Sequence, residues 1–199
     1  MNNYQVYMLI FILSYFGIVL GLRSLILYKS TKVDARKVFY KETATKKSGK
    51  LIQLALFLMI VISVNFIWIT SNYKYFLPIE FLEQGPLQTI GFILSMLGLI
   101  IGFISQLQMK DSWRLGIDRD KSTELVTGGL FSISRNPIYV SLGLSLLGFF
   151  MMAPNAISIV FFLLMMYGIN EKIKDEEEFL HEQFGDAFIK YKAKVRRWI

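Results

Sequence analysis

Charge-free apolar runs alternate with charged stretches along this chain, and the lengths of those runs set the fold class. Residues 6–22 carry no charged side chain, and past Arg23 the apolar character continues to Tyr28. Residues 51–73, 85–109 and 137–170 are likewise free of charge. A helix needs roughly 20 apolar residues to cross a hydrocarbon core about 30 Å thick, so the first three runs each supply one span. The fourth is 34 residues long, and as one helix it would reach about 50 Å. Ala153-Pro154-Asn155 interrupts it near the middle. Proline removes a backbone donor and breaks helices, and asparagine favours turns. The pattern therefore predicts a helical hairpin, 137–152 and 155–171, with arms of about 24 Å. Arms that short lean on partners or sit where the bilayer thins. Beyond them, Ile173, Phe179, Leu180, Phe184, Phe188 and Tyr191 recur at three- and four-residue spacings among charges. That is an amphipathic helix or helix pair, broken at Gly185. The predicted fold class is an all-α integral membrane protein with about five transmembrane helices and an amphipathic cytoplasmic C-terminal tail.

Composition agrees: the chain is 54% hydrophobic and 19% charged, against about 45–50% and 25% for soluble domains. The net charge of +7 is unevenly placed. Eight Lys/Arg fall in 29–50, five in 110–135 and seven in the tail from Glu171, while the segment 71–84 holds only Lys74. With five spans every basic cluster lies on one side, which puts the N-terminus outside and the C-terminus in the cytoplasm. The expected location is a bacterial cytoplasmic (inner) membrane. The basic excess is spent on orientation and anionic lipid, so no nucleic-acid partner is expected. The first run lacks the basic start and small-residue site of a cleaved signal. The segment 32–50 reads as a linker or interfacial helix on the headgroups. Absence of Cys removes disulfides, thiolate nucleophiles and zinc–thiolate sites, and with His181 the only histidine no metal site is expected.

Polar groups gather beside membrane helices in two regions, 111–139 and 171–197, both on the cytoplasmic side. The division expected is 1–110, three helices with the basic loop 29–50, and 111–199, a core of loop, hairpin and tail. In the first region Gly128-Gly129 marks a tight turn or close backbone approach. Pro137 suits the first turn of the fourth helix, with Asn136 or Ser134 as caps. A helix N-terminus beside Arg135 suits an anion; a capped helix start with a snorkelling Arg is the alternative. In the second region Glu176, Glu177 and Glu178 are adjacent carboxylates. A solvated acidic face is one reading, and attraction of a cation or of hydroxyl groups is the other. His181 shares a helix face with Glu177 and reads as surface or packing.

Across 111–199 the chain resembles the isoprenylcysteine carboxyl methyltransferase family and the wider group that includes phospholipid methyltransferases. The residues that carry the resemblance are Trp113-Arg114, Leu125-Val126, Gly129, Arg135-Asn136-Pro137-Ile138-Tyr139, Glu176-Glu177 with Leu180, Phe184-Gly185, Tyr191 and Arg197-Trp198. Asn136 stands where His is usual, and Phe131 and Phe188 where Tyr is common. Asparagine still forms hydrogen bonds but does not titrate near neutrality, which excludes proton transfer there.

The resemblance implies an S-adenosylmethionine-dependent methyltransferase. Carried over residue by residue, it implies that Arg135, Asn136, Pro137, Tyr139 and Gly129 line the cofactor pocket. Glu176 and Glu177 would bind the cofactor, and Arg197 and Glu177 would be the catalytic pair. The acceptor implied is lipophilic (a lipid, a prenylated partner or an apolar small molecule), with a carboxylate as the favoured methyl-accepting group. A carboxylate acceptor needs no general base, which suits a chain with one His and no Cys. Two alternatives remain at this point: an NADPH-dependent membrane reductase of the sterol reductase type, and a non-catalytic lipid-binding protein.

Overall fold

The computed structural model describes residues 1–31, 47–110 and 124–199. Most of the basic loop 29–50, together with Trp113 and Arg114, lies outside the described residues. Among the described residues every regular element is helical. Helix α1 (Asn3–Ser14) runs through a π-helical segment (Tyr15–Leu22) into α2 (Arg23–Thr31). Then come α3 (Lys47–Ile67), α4 (Gly85–Gln108), α5 (Pro137–Met152), α6 (Ala156–Phe184) and α7 (Asp186–Lys194).

Three helical stretches are long and apolar enough to cross a membrane: Gly49–Ile67, Gly85–Gln108 and Ala156–Phe184. Asn3–Ile18 and Pro137–Met152 are apolar but shorter. The chain is an integral membrane protein, and the many exposed Ile, Leu and Phe side chains along these helices face the apolar solvent they require.

Between apolar helices in lipid, association depends on close packing rather than on the hydrophobic effect. Helices α4 and α5 form the most intimate pair in the bundle, and small residues make it so. Gly91, Ser95, Gly98 and Gly102 of α4 meet Ser141, Ser145 and Gly148 of α5. A Cβ on Gly98 would stand 2.6 Å from the Ser141 carbonyl oxygen, and one on Gly91 2.8 Å from that of Gly148. The Ser95 hydroxyl donates to the Ser145 carbonyl at 3.1 Å, and Ser145 returns a bond to the Ser95 carbonyl at 3.3 Å. On the other side, Ala55, Met59, Ile62 and Phe66 of α3 join Phe161, Met165, Ile169 and Ile173 of α6 in one core, which Phe11 and Phe149 complete.

The hairpin turn falls where the sequence predicts it. Asn155 caps α6 by accepting from the Ser158 amide at 2.8 Å, and the Asn155 amide donates to the Ser158 hydroxyl in return. The segment 68–84 lies over this turn. The Ile79 amide donates to the Pro154 carbonyl at 2.9 Å, and Asn155 donates to the Tyr73 hydroxyl at 3.2 Å.

One boundary differs from expectation. The second arm does not stop at 171 but continues unbroken to Phe184. Residues 171–183 contain no Gly or Pro, and a Glu171–Lys174 pair at 2.6 Å supports the first charged turn. The first half of the tail is therefore a rigid extension of the last apolar helix. The break comes at Gly185, whose φ of 49° and ψ of −121° suit glycine.

Candidate active site

The site forms where the start of α5, the charged extension of α6 and the chain beyond α7 converge. Pro137 occupies the first turn of α5, as its missing N–H allows. The Asn136 side chain does not cap that helix. Its Nδ2 instead donates to the Arg197 carbonyl at 3.0 Å. Ser134 donates to the same carbonyl at 3.2 Å and accepts from the Asn136 amide at 3.0 Å. The Arg135 amide donates to the Arg196 carbonyl at 2.9 Å. Residues 134–136 thus hold the C-terminal chain by its backbone.

Glu177 is the centre of charge. Only 8% of its side chain is exposed, and that of Arg135 is equally buried. Arg135 Nε and Nη2 donate to Glu177 Oε1 at 3.2 and 2.9 Å. Arg197 Nε reaches Oε1 at 3.2 Å, and its Nη2 reaches Oε2 at 2.5 Å. Arg135 Nη1 also donates to the carbonyls of Val195 and Lys192 at 2.6 and 3.2 Å. It thereby neutralises the C-terminal end of α7, where orphan carbonyls concentrate negative charge.

Glu177 lies in the charged extension of α6, seven residues past the charge-free stretch ending at Asn170. Burial raises its pKa, but the hydrogen bonds from Arg197 and Arg135 outweigh burial, and the carboxyl is held below the usual range. The bond to Glu177 holds Arg197 above its ordinary value. Two guanidinium groups share one carboxylate, so the triad carries a net positive charge. Arg197 is 34% exposed, and Glu177 engages its Nε–Nη2 edge. Arg197 is thus the more exposed of the triad's two cations.

Beside the triad, the Tyr139 hydroxyl donates to Glu176 Oε1 at 2.6 Å. Glu178, the third carboxylate of the run, is exposed, because successive helical positions point about 100° apart. His181 is also exposed. Gly129 sits one turn away, with φ of 62°, against the Gln108 side chain, which accepts from the Leu130 amide at 2.9 Å. A Cβ there would meet Gln108 Nε2 at 2.6 Å. The turn is tied to α7 by Tyr191, whose hydroxyl donates to the Phe131 carbonyl at 2.6 Å.

The structure therefore brings Arg135, Asn136, Pro137, Tyr139, Glu176, Glu177 and Arg197 into one cluster, with Gly129 in the adjoining turn. Ser134 and the backbone carbonyls of Lys192, Val195, Arg196 and Arg197 belong to it as well. Main-chain acceptors leave no mark in residue identity, so no sequence pattern announces them.

Residues 87–187 match the family model described as phospholipid methyltransferase. A protein-S-isoprenylcysteine O-methyltransferase of Schizosaccharomyces pombe is 35% identical over 78 residues, which are 39% of this chain and 33% of that protein. An uncharacterized protein of Haemophilus influenzae is 36% identical over 63 residues, which are 31% of this chain and all of that one. The match thus covers about a third of the length of the yeast enzyme. The family match takes in α4, α5 and α6, the helices that carry Tyr139, Glu176 and Glu177, and it extends over half of the chain: the protein belongs to the phospholipid methyltransferase family of membrane methyltransferases, alongside the isoprenylcysteine methyltransferases it resembles.

Proposed function

We propose that this protein transfers a methyl group from S-adenosylmethionine to a lipophilic acceptor at the cytoplasmic face of its membrane, with a carboxylate as the favoured accepting group. The observation that carries this reading is the convergence of Arg135, Tyr139, Glu176, Glu177 and Arg197 at the charged end of the α5–α6 hairpin, in a chain of methyltransferase family. Five crossings, with the N-terminus outside, place all basic segments and this cluster on the cytoplasmic side. Residues 1–110 then form the lipid-facing part and 111–199 the catalytic core.

The donor set fits the cofactor. A ribose with free hydroxyls and an ammonium group need acceptors, and the half-buried Glu176 carboxylate with its Tyr139 partner offers one. An acidic acceptor needs a cation, and the exposed part of Arg197 offers that. Arg135, Pro137 and Gly129 shape the wall, and the buried Asn136 amide holds the Arg197 carbonyl behind it. S-adenosylmethionine supplies an activated methyl group on a sulfonium, so the protein has to orient and desolvate rather than activate. Orientation is worth roughly 7–11 kcal/mol in such displacements. Arg197 holds the acceptor carboxylate by charge-assisted hydrogen bonds. Glu177 holds Arg197 at a fixed angle, and no proton has to move.

The test is ligand-dependent thermal stability in detergent, followed by transfer of labelled methyl groups to membrane lipids. S-adenosylmethionine or S-adenosylhomocysteine stabilises the protein and NADPH does not. Glu176→Gln and Tyr139→Phe, neither of which disturbs the buried triad, weaken the cofactor-dependent shift. Stabilisation by NADPH instead would replace this reading with that of a reductase. An absence of any shift would leave a lipid-binding protein.

A further inference from the structure

We infer that Asn136 is a positioning residue: its side-chain amide seats the C-terminal strap, residues 195–199, and so turns the Arg197 guanidinium back onto Glu177. This deepens the methyl-transfer reading and depends on it for the role of Arg197. The strap leaves α7 after Lys194, and Val195 is extended, with φ of −119° and ψ of 133°. A segment outside regular structure stays ordered only when it is tied down. The ties come from three consecutive residues. Asn136 Nδ2 and the Ser134 hydroxyl both donate to the Arg197 carbonyl, and the Arg135 amide donates to the Arg196 carbonyl. Trp198 then packs against the bundle core. Asn136 and Ser134 are buried, at 8% and 3% exposure. Two buried donors on one carbonyl fix the backbone of Arg197, and with it the direction of a side chain whose Nε–Nη2 edge faces Glu177.

The chemistry required at position 136 is a donor. A carboxylate there would set oxygen against the Arg197 carbonyl, and alanine would leave that carbonyl one donor short. An imidazole N–H supplies the same donor. Asparagine supplies it without titrating near neutrality, so the seat is indifferent to pH there.

The experiment labels the full-length protein with 5-fluorotryptophan in detergent and assigns the Trp198 resonance by Trp198→Phe. Asn136→Ala and Asn136→Asp shift and narrow the Trp198 signal while Trp68, in the segment over the far end of the hairpin, stays in place. In the same variants kcat falls on the order of tenfold, the size of one lost hydrogen bond at the upper end of its range, while affinity for S-adenosylhomocysteine stays within threefold. Asn136→His restores both the signal and kcat. An unmoved Trp198 signal in Asn136→Ala overturns the inference, as does a tenfold loss of S-adenosylhomocysteine affinity with the strap still seated. If Asn136→Ala does not fold, Asn136→Leu keeps the volume without the donor and must move Trp198; an unmoved signal there overturns it equally. Absence of S-adenosylhomocysteine binding by the wild type would refute the methyl-transfer reading instead, and the fluorine signal would still judge the strap.

Discussion

Replacing Glu177 with glutamine removes one negative charge and leaves two guanidinium groups facing each other. The side chains of Arg135 and Glu177 are each 8% exposed, so water cannot replace what is lost. Breaking a buried ion pair by removing one partner costs about 3–5 kcal/mol, because the remaining charge stays desolvated. Arg135 keeps its bonds to the Val195 and Lys192 carbonyls, and Arg197 is partly solvated. The expected loss is therefore at the lower end, about 3 kcal/mol. Reversible unfolding in mixed detergent micelles, followed by circular dichroism, measures it. The pH dependence gives an independent check. Because the folded-state pKa of Glu177 is depressed, its contribution is complete above the unfolded value of about 4.3 and disappears as pH falls through the lower folded value. Wild type should lose stability across that acidic window, and Glu177→Gln should be flatter there. An Arg135→Met, Glu177→Gln double variant should recover part of the loss, since it removes the orphaned charge. If Glu177→Gln unfolded with wild-type stability, and its acid profile ran parallel to wild type, the triad would not be the buried, mutually dependent unit described here.

Other outcomes follow from the packing. Gly98→Val pushes a side chain into the Ser141 carbonyl and Ser145 amide of α5, and overpacking of this kind costs about 1–3 kcal/mol or more; a lowered melting temperature in detergent reports it, while Ile104→Val on an exposed face of the same helix should change little. Gly185→Ala meets no neighbouring atom, yet its backbone region is one that side chains rarely adopt, so a loss of about 1–3 kcal/mol is expected from strain alone, together with faster proteolysis of α7. Burial raises the Tyr191 phenol to about 12. Its contribution is therefore full below the unfolded value of about 10 and is lost as pH rises toward the folded one, an alkaline loss that Tyr191→Phe should abolish.

Several features of this protein were settled by the residues one at a time. A run of apolar side chains must leave water whatever its neighbours do, so the membrane class and the apolar segments were legible. Pro154 cannot donate and Gly185 alone tolerates its backbone angles, so both breaks were legible too. The Arg135-to-Tyr139 and Glu176-Glu177 motifs named residues that the fold brings into one cluster. The small residues Gly91, Ser95, Gly98 and Gly102 were in plain view as well, at a spacing that makes one stripe, but a stripe does not name the helix that fills it. The apolar pattern stops near 171 while α6 runs on to Phe184, because a drop in apolarity ends a span without ending a helix. What tertiary structure alone decided is which charges meet. Three adjacent glutamates look alike in a sequence; only the rotation of α6 against α5 gives one to two arginines, one to a tyrosine and one to water. The strap that carries Arg197 is gripped by its main-chain carbonyls, which every residue possesses, so only the path of the folded chain could reveal it.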